Sequence, residues 1–351
     1  MSSVPTDNIG LELVFESAPE PHESLIACEN IRWQRLPLPF ALNHVNCWLL
    51  GEPGDQVLID TGVSMSRSRK LWQEHFGGVG SDSLSHAPEK LLVTHFHPDH
   101  AGLAGWFAQA GSRLYGSAVE VELSRTLCGI DDQTYGEHYA GWYAANGLPM
   151  SRIDTVRANA NTYRMIVDEP PGDADWTFLQ EGQHVELGGE LYTVMIGRGH
   201  APDMLMLYRE RDHVLIAADQ ILPSISPNVS VMPRLQDQNP LNSFLATLDA
   251  LKKLPADTLV LPSHGLPFRG LHARITVLEQ HHEERLSEVW QACKEPTSAF
   301  EMFRVLFKRE LDDQQTSFAL GESLAHLHYL EQRGQLERLT QEGVIRFRQM
   351  S

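Results

Sequence analysis

Three imidazoles and one carboxylate fall within the short run THFHPDH, which contains His95, His97, Asp99 and His100. Such a run is poor material for a protein core, because buried polar groups need partners. Imidazole and carboxylate are, in contrast, common ligands of transition metals. A tight turn after a strand can place His95 and His97 on one metal ion, with Asp99 and His100 facing another. The run therefore predicts a metal site.

Three further segments supply ligands of the same kinds. They are GRGHAPDM with His200, LIAADQ with Asp219 and LPSHG with His264. Together with the His-rich run they give seven candidate ligands, enough for two divalent ions that share one carboxylate. These ligand types suit Zn²⁺ most, and they also admit Fe or Mn. One histidine among the 17 of the chain would carry little weight, but the joint arrangement indicates a two-metal centre.

Short apolar runs deliver these residues, since several of the runs end at a candidate ligand. QVLIDTG leads to Asp60, LLVTH leads to His95, and TLVLPSHG leads to His264. Runs of this kind are typical of buried strands. Strand blocks alternate with helices once in each half of the chain, with helices predicted over 66–77 and 241–254. The pattern predicts an α/β (α+β) fold of two packed sheets with helices outside.

The chain divides into three predicted parts. Residues 1–30 are rich in Pro, Glu and Ser and are expected to be irregular. Residues 31–270 are expected to form the main domain, with a helical insertion at about 118–165. Residues 271–351 read as helices followed by a hairpin that turns near Glu342 and Gly343, and TSAFEMFRVLF within them reads as a helix with Ser298 as its N-cap. This order indicates a small winged-helix-like domain.

Composition limits the classes of function. With 42% hydrophobic and 21% charged residues, the chain fits a globular protein, and its net charge of −18 argues against broad nucleic-acid binding. Four scattered cysteines form no CxxC pair, which argues against a cysteine zinc site and a disulfide framework. The N-terminal residues lack the pattern of a signal peptide, and no apolar window is long enough for a membrane span. We therefore expect a cytoplasmic protein.

The motifs together resemble those of the metallo-β-lactamase superfamily. The matching pieces are LIDTG with Asp60, the run THFHPDH, GRGHAPDM, IAADQ and LPSHG, and they lie between residues 55 and 268. The resemblance implies a four-layered αββα sandwich with the metals at one rim between the sheets. It also implies a metal-dependent hydrolase.

The resemblance further implies a role for each candidate ligand. His95, His97 and His200 would bind the first metal, and Asp99, His100 and His264 would bind the second. Asp219 would bridge the two, and Asp60 would support the site through hydrogen bonds.

Two departures from related enzymes bear on the substrate. β-Lactamases of the family usually carry Cys where this chain has Asp219, which argues against an antibiotic-degrading role. The C-terminal part resembles that of a subgroup related to glyoxalase II, which includes the human lactamase-like endoribonuclease. Glyoxalase II itself usually has Gly where this chain has Asp203, and this difference argues against glutathione thioesters.

The favoured function is hydrolysis of a thioester, ester or lactone in a small molecule by a metal-bound hydroxide. Asp99 would orient the nucleophile or carry its proton. The alternative is a nuclease, which the winged-helix-like tail suggests. However, residues 281–351 hold 9 Lys/Arg against 12 Asp/Glu, so the tail also reads as a packing module or as the contact of a homodimer. A β-lactamase and a non-catalytic binding module both rank below these two functions. The binding module ranks low because all seven candidate ligands are present.

An aromatic stripe offers a wall for a substrate pocket. Its members fall at helical spacing: Tyr135, Tyr139, Trp142 and Tyr143. Ser224, in the loop after Asp219, would lie on another side of the pocket. An ordinary amphipathic helix that packs its stripe on the body would explain the same spacing, and the two interpretations are compatible.

Overall fold

The protein is built on two β-sheets, seen in a computed structural model that describes residues 10–77, 84–235, 238–307 and 313–350. Its strands, numbered along the chain, are β1 (Glu12–Leu13), β2 (Ser24–Cys28), β3 (Ile31–Pro37), β4 (His44–Leu50), β5 (Val57–Ile59), β6 (Lys90–Leu92), β7 (Arg113–Gly116), β8 (Trp176–Phe178), β9 (His184–Leu187), β10 (Glu190–Gly197), β11 (Met204–Arg209), β12 (Val214–Ala218), β13 (Leu259–Pro262), β14 (Phe268–Arg269), β15 (Leu336–Gln341) and β16 (Val344–Gln349). Strands β2 to β8 form the first sheet in sequence order. The second sheet has the order β1-β14-β13-β12-β11-β10-β9, and β15 pairs with β16 alone.

The helices lie before, between and after the strand blocks. In chain order they are α1 (Ser66–Phe76), α2 (Pro98–Ala101), α3 (Ala104–Gln109), α4 (Ala118–Gly129), α5 (Asp132–Ala145), α6 (Met150–Arg157), α7 (Tyr163–Ile166), α8 (Pro240–Leu251), α9 (Leu271–Ala292), α10 (Phe303–Leu306) and α11 (Asp313–Gln332). Helices α4 to α7 occupy the stretch in which a helical insertion is predicted. None of the helices in the described part of the chain is long and apolar enough to cross a membrane.

Three buried layers show how the sheets and helices stack. Alternate residues of a strand point to opposite faces of its sheet, and β4 shows this directly. Its Cys47 and Leu49 pack with α1 and α3 on the outer face. Its Trp48 and Leu50 pack against the second sheet. On the far side of the second sheet, strand β12 packs with α8 and α9. The layers therefore run helix, sheet, sheet, helix, which confirms the αββα sandwich.

Parallel strands bring distant parts of the sequence to one edge. Strand β5 pairs in parallel with β6, and β12 pairs in parallel with β13. The carboxyl ends of parallel strands meet at the same edge of a sheet, which is where open α/β folds place their ligands. These four strands end just before Asp60, His95, Asp219 and His264, respectively. The sequence thus delivers its candidate ligands to one rim.

The N-terminal segment is more regular than its composition suggests. Strand β2 pairs with β3, with Ser24 opposite Gln34, and β1 pairs with β14. The prediction of irregular structure over 1–30 is therefore wrong for these two strands, because short segments can become strands by pairing with the rest of the fold, whatever the composition of the region around them. Residues 1–9 lie outside the described residues.

The C-terminal part joins the main core through its helices. Residues of α9 and α11 share one buried cluster with α8 and the second sheet. Glu342 and Gly343 both have positive φ, 51° and 80°, which fits a type I′ hairpin turn between β15 and β16. The helix predicted around Ser298 is shorter than expected, because only Phe303–Leu306 is helical. Ser298 and Glu301 nevertheless form the reciprocal bonds of a capping box, at 3.3 and 2.8 Å. The winged-helix topology and the exact domain boundaries stay predictions.

Candidate metal centre

Backbone features at the strand ends turn the ligand side chains toward one another. Asp60 adopts a left-handed conformation with φ of 61° directly after β5. Ala218, with φ of 45°, lies at a register shift between β12 and β13 and directs the following Asp219. A non-glycine residue in this region is strained, and such strain collects at functional sites. The rim is thus shaped by the two turns that hold its buried carboxylates.

Hydrogen bonds between the sheets close the rim around the site. The Leu205 amide of β11 donates to the Thr94 carbonyl at 2.9 Å, and the Asn46 amide of β4 donates to the Ser263 carbonyl at 2.7 Å. The Asn46 side chain donates to the Pro262 carbonyl at 2.8 Å. Since Thr94 precedes His95 and Ser263 precedes His264, these bonds fix ligand segments from both sheets in one frame.

The candidate ligands assemble into groups whose donor atoms all lie within 4.8 Å of one another. One group contains His95, His97 and His200, and another contains Asp99, His100 and His264; a third, of Asp219 with His95 and His100, overlaps both. The first two groups are the triads that the family resemblance implies. The structure therefore brings together the ligands that the sequence placed on separate segments.

Asp219 lies between the two groups, with one oxygen toward each. Its Oδ2 is 3.3 Å from Nε2 of His200. Its Oδ1 is 3.4 Å from Nε2 of His264 and 3.6 Å from Nε2 of His100. Asp219 therefore contacts histidines of both groups.

The opposite ring nitrogens of four ligand histidines meet hydrogen-bond acceptors. The Nδ1 contacts are His100 to Asp60 Oδ2 at 2.7 Å, His200 to the Asn228 carbonyl at 2.8 Å, His264 to the His44 carbonyl at 2.6 Å and His95 to Thr94 Oγ1 at 3.0 Å. The Thr94 hydroxyl itself donates to Asp60, so it must accept from the His95 ring. An Nδ1–H held in this way leaves the Nε2 lone pair for a metal.

Unsatisfied atoms test whether a metal fits here. Among the described residues, Nε2 of His100, His200 and His264 and Oδ1 of Asp219 are buried and lack a hydrogen-bond partner. A buried polar atom without a partner costs about 1–3 kcal/mol. Four such atoms within one cluster of candidate ligands are costly in a protein and well suited to bound cations. The residues present therefore fit divalent metal ions.

The ionisable groups of the site are of two kinds, neutral histidines and charged groups that balance one another. Burial lowers the pKa of His95 well below its usual range, so this ring is a neutral ligand. Burial opposes charge on His100 too, but the carboxylates of Asp99, Asp60 and Asp219 outweigh it and raise the pKa of His100 to about 10. Burial would raise the pKa of Asp219, yet His264 and His100 hold it well below its usual value. Without metal, the positive charge of the imidazolium thus balances the negative charge of the carboxylates. A bound divalent ion would take over this role.

Several supporting residues had no clear signal in the sequence. Asn228 and His44 act through backbone carbonyls, which any residue could supply. Glu120, which is 2% exposed, accepts from the Phe96 amide at 3.1 Å and from the Asp203 amide at 2.6 Å. Burial raises the pKa of Glu120 to about 7. Its position three residues after Ser117 fits a capping box at the start of a helix. This pattern does not predict a contact with the loops of the metal site.

The residues predicted for a substrate pocket are spread over two environments. Tyr135 and Tyr139 stack with ring centroids 4.3 Å apart, and Tyr135 packs on a cluster that contains Phe96. Trp142 and Tyr143 are each 4% exposed and pack in the core shared with the C-terminal helices. The stripe thus fills the core along part of its length, as an amphipathic helix does. Ser224 is exposed in the loop after Asp219.

Comparison with family models and known proteins agrees with this geometry. A model described as the metallo-beta-lactamase superfamily matches residues 41–264, and a metallo-beta-lactamase-like C-terminal domain matches residues 286–350. A crystal structure of a beta-lactamase domain protein from Burkholderia ambifaria is 36% identical, with a TM-score of 0.86, over 97% of this chain and 98% of that one.

Two bacterial relatives carry functional names. The probable metallo-hydrolase YqjP of Bacillus subtilis is 26% identical over 85% of this chain and 91% of its own length. A linear primary-alkylsulfatase of a Pseudomonas strain is 25% identical over 63% of this chain and 42% of its own length. With its fold, its ligand-rich rim and these matches in agreement, the chain belongs to the metallo-β-lactamase superfamily and is a metal-dependent hydrolase.

Proposed function

We propose that this hydrolase uses two metal ions to cleave an ester-type bond, a thioester, ester or lactone, in a small molecule. The observation that carries the proposal is the presence of two donor triads, linked by a third group that contains Asp219 and one histidine from each triad. His95, His97 and His200 would hold one ion, and Asp99, His100 and His264 would hold the other. Zinc fits this set of nitrogen and oxygen ligands best, with Fe or Mn as alternatives.

When bound, a divalent metal lowers the pKa of a coordinated water to about 7 and polarises the carbonyl of the substrate. The protein supplies orientation and proton transfer. The Asp99 side chain is 17% exposed, whereas those of His100 and Asp219 are 0% and 4% exposed. Asp99 is therefore the carboxylate of the centre that solvent reaches most easily. It can orient the attacking water, accept its proton and release that proton to the leaving group or to solvent.

The substrate class is inferred from charge and from the surroundings of the site. A net charge of −18 is compatible with a small molecule and disfavours the phosphate backbone of a nucleic acid. We place Tyr135, with Tyr139 behind it, on one side of the substrate and Ser224 on another. Since a relative is named an alkylsulfatase, sulfate esters join the candidate substrates.

Location and assembly are proposals of the same kind. The four cysteines are unpaired in the described part of the chain, which fits a reducing compartment such as the cytoplasm. A homodimer through the C-terminal part stays a prediction.

A hydrolysis panel tests the function. Thioesters, lactones, carboxylic and sulfate esters, β-lactams and short RNA are offered to the wild type, to Asp99→Ala and to the control Asp154→Ala, whose side chain is 84% exposed. We expect turnover of one small-molecule class that falls at least about 100-fold in Asp99→Ala and is unchanged in the control. Turnover of RNA alone would contradict the substrate class, and full turnover in Asp99→Ala would contradict the mechanism.

A further inference from the structure

Phe96 lies between two candidate ligands, His95 and His97, and the helical insertion holds the peptide group on each side of it. Its amide donates to Glu120 Oε2 of α4 at 3.1 Å. Its carbonyl accepts from the Tyr163 hydroxyl of α7 at 2.5 Å. The N–H belongs to the His95–Phe96 peptide and the C=O belongs to the Phe96–His97 peptide. Each bond therefore restrains the peptide plane next to one of the two flanking histidines, and with it the direction of that histidine.

The same carboxylate reaches the loop that carries the third ligand. Glu120 Oε1 accepts from the Asp203 amide at 2.6 Å, three residues beyond His200. One side chain thus joins the two loops that carry His95, His97 and His200.

Glu120 sits in this position despite an easier local alternative. It is the third residue of α4 after Ser117, so it could reach back and close a capping box. Ser117 has no side-chain cap bond, and the carboxylate turns inward instead. Among the described residues no Lys or Arg forms an ion pair with Glu120, although it is 2% exposed. A buried carboxylate that relies on two backbone amides is costly to desolvate, and here both amides belong to the ligand loops.

We propose that Glu120 is a positioning residue for the first ligand group, with Tyr163 as its partner at the Phe96 carbonyl. The insertion 118–165 is then part of the metal centre as well as a wall of the substrate pocket. This inference rests on the proposed two-metal function. Glu120 touches neither metal nor substrate and acts through the loops that it joins.

Metal affinity measured by chelator competition tests the proposal, with zinc and cobalt as probes. Glu120→Gln keeps the size of the side chain but offers one acceptor oxygen, and its NH₂ group opposes the second amide. We expect the affinity for one of the two metal equivalents to fall about 10- to 100-fold. The affinity for the other equivalent should stay within about twofold of the wild-type value. The matched control is Glu122→Gln on the same helix, where the carboxylate is 69% exposed and pairs with Arg125. The control should bind both equivalents as the wild type does.

Tyr163→Phe gives a second test that keeps the core packed. It removes only the hydroxyl, which meets the Phe96 carbonyl at 2.5 Å and Ser124 Oγ at 2.7 Å. We expect the affinity for the same single metal equivalent to fall. If Glu120→Gln does not fold, Tyr163→Phe decides alone. Equal weakening of both equivalents, or wild-type affinity in the variants that fold, overturns the positioning role. A wild type that binds fewer than two metals would instead overturn the proposed function, and this inference with it.

Discussion

At the scale of single residues, the centre depends on side chains that hold the ligands as much as on the ligands themselves. Asp60 shows this most clearly. Its Oδ1 accepts from the Thr94 amide at 2.8 Å, and its Oδ2 accepts from the Thr94 hydroxyl at 2.9 Å and contacts His100 Nδ1 at 2.7 Å. One carboxylate therefore orients His100 directly and His95 through Thr94.

Replacing Asp60 by Asn should lower metal affinity without leaving a cavity in the core. The amide matches the carboxylate in shape, but its NH₂ group must face Thr94 or His100, each of which already donates. We expect metal affinity to fall about 10- to 100-fold, measured by chelator competition. Asp55→Asn, at a half-exposed carboxylate that pairs with Lys90, is the control and should bind metal normally. Unchanged affinity in Asp60→Asn would show that the carboxylate does not orient the ligands.

The residues that were predictable from sequence are those whose chemistry is in the side chain. The seven candidate ligands and Asp60 stand out by type and position, and the structure brings them together. The acceptors of His200 and His264 were not predictable, because backbone carbonyls have no signature in the sequence. Glu120 was hidden for another reason, since its spacing from Ser117 has a local explanation that the folded chain does not use.

At the scale of elements, the ends of strands and helices depart from the sequence pattern where the site needs them. Strand β6 ends at Leu92 although the apolar run continues, because Asp60 takes the Thr94 amide. The helical stretch after the His-rich run is broken between α2 and α3, where the Leu103 amide donates to Thr61 Oγ1. Gly102 lies at this break, and a Cβ there would collide with the Gly62 carbonyl. Local propensity could not reveal these contacts, since each partner is distant in sequence.

Helix α11 of the C-terminal part supports the metal centre indirectly. It contacts a loop in which the Asn228 carbonyl is the hydrogen-bond acceptor of His200. The Val231 amide donates to the Gly321 carbonyl at 3.0 Å, and a Cβ on Gly321 would lie 2.7 Å from Ser230 Cβ and 2.8 Å from the Val231 carbonyl. Glycine therefore permits the close approach of the helix to the loop.

Gly321→Ala should push this loop away from the helix. In an exposed helix the change would stabilise by about 1 kcal/mol, so a loss has to come from the contact. We expect the free energy of unfolding to fall by about 1–3 kcal/mol in urea and metal affinity to decrease with it. Gly141→Ala in α5, where a Cβ would meet nothing within 4 Å, is the matched control and should not destabilise. Equal behaviour of the two variants would contradict the support role of α11.

At the scale of the whole molecule, the sandwich and the C-terminal part share one core, and buried histidines lie in it. His282 of α9 and His326 of α11 are 1% and 0% exposed, and His282 Nδ1 is 3.3 Å from His326 Nε2. Burial lowers the pKa of His326 to about 4, although its bond to the Glu322 carbonyl opposes this, and Arg285 acts in the same direction as burial. Burial and the neighbouring His326, His281 and Arg285 hold the pKa of His282 well below its usual range.

The pH dependence of stability follows from these shifts. The unfolded chain takes up protons near pH 6.5, whereas folded His326 does so only near pH 4, so the unfolded state binds more protons in this window. The free energy of unfolding therefore falls as the pH falls from 6.5 to 4, by roughly 3 kcal/mol for His326 alone. In the metal-free protein, His326→Gln should flatten the urea-unfolding profile in this window, and the exposed His184→Gln should not. Identical slopes in His326→Gln and the wild type would contradict the buried neutral pair.

The architecture was largely predictable because buried strands and alternating helices leave a strong apolar pattern. Runs such as those before Asp60 and His264 indicate two packed sheets with helices outside, and the family resemblance implies the four-layered sandwich. Strands β1 and β2 were missed because such short segments acquire structure only by pairing with the body. The split of the aromatic stripe, with Trp142 in the core and Tyr135 beside Phe96, depends on where the C-terminal helices pack, which no local pattern encodes.

Anomalous diffraction from crystals of the zinc-loaded protein tests the two-metal centre most directly. We predict two peaks of anomalous density at the rim, with metal–ligand distances of about 2.0–2.2 Å. One peak should lie on His95, His97 and His200, the other on Asp99, His100 and His264, and Asp219 should touch both. A single peak, or a second peak away from Asp99, His100 and His264, would contradict it.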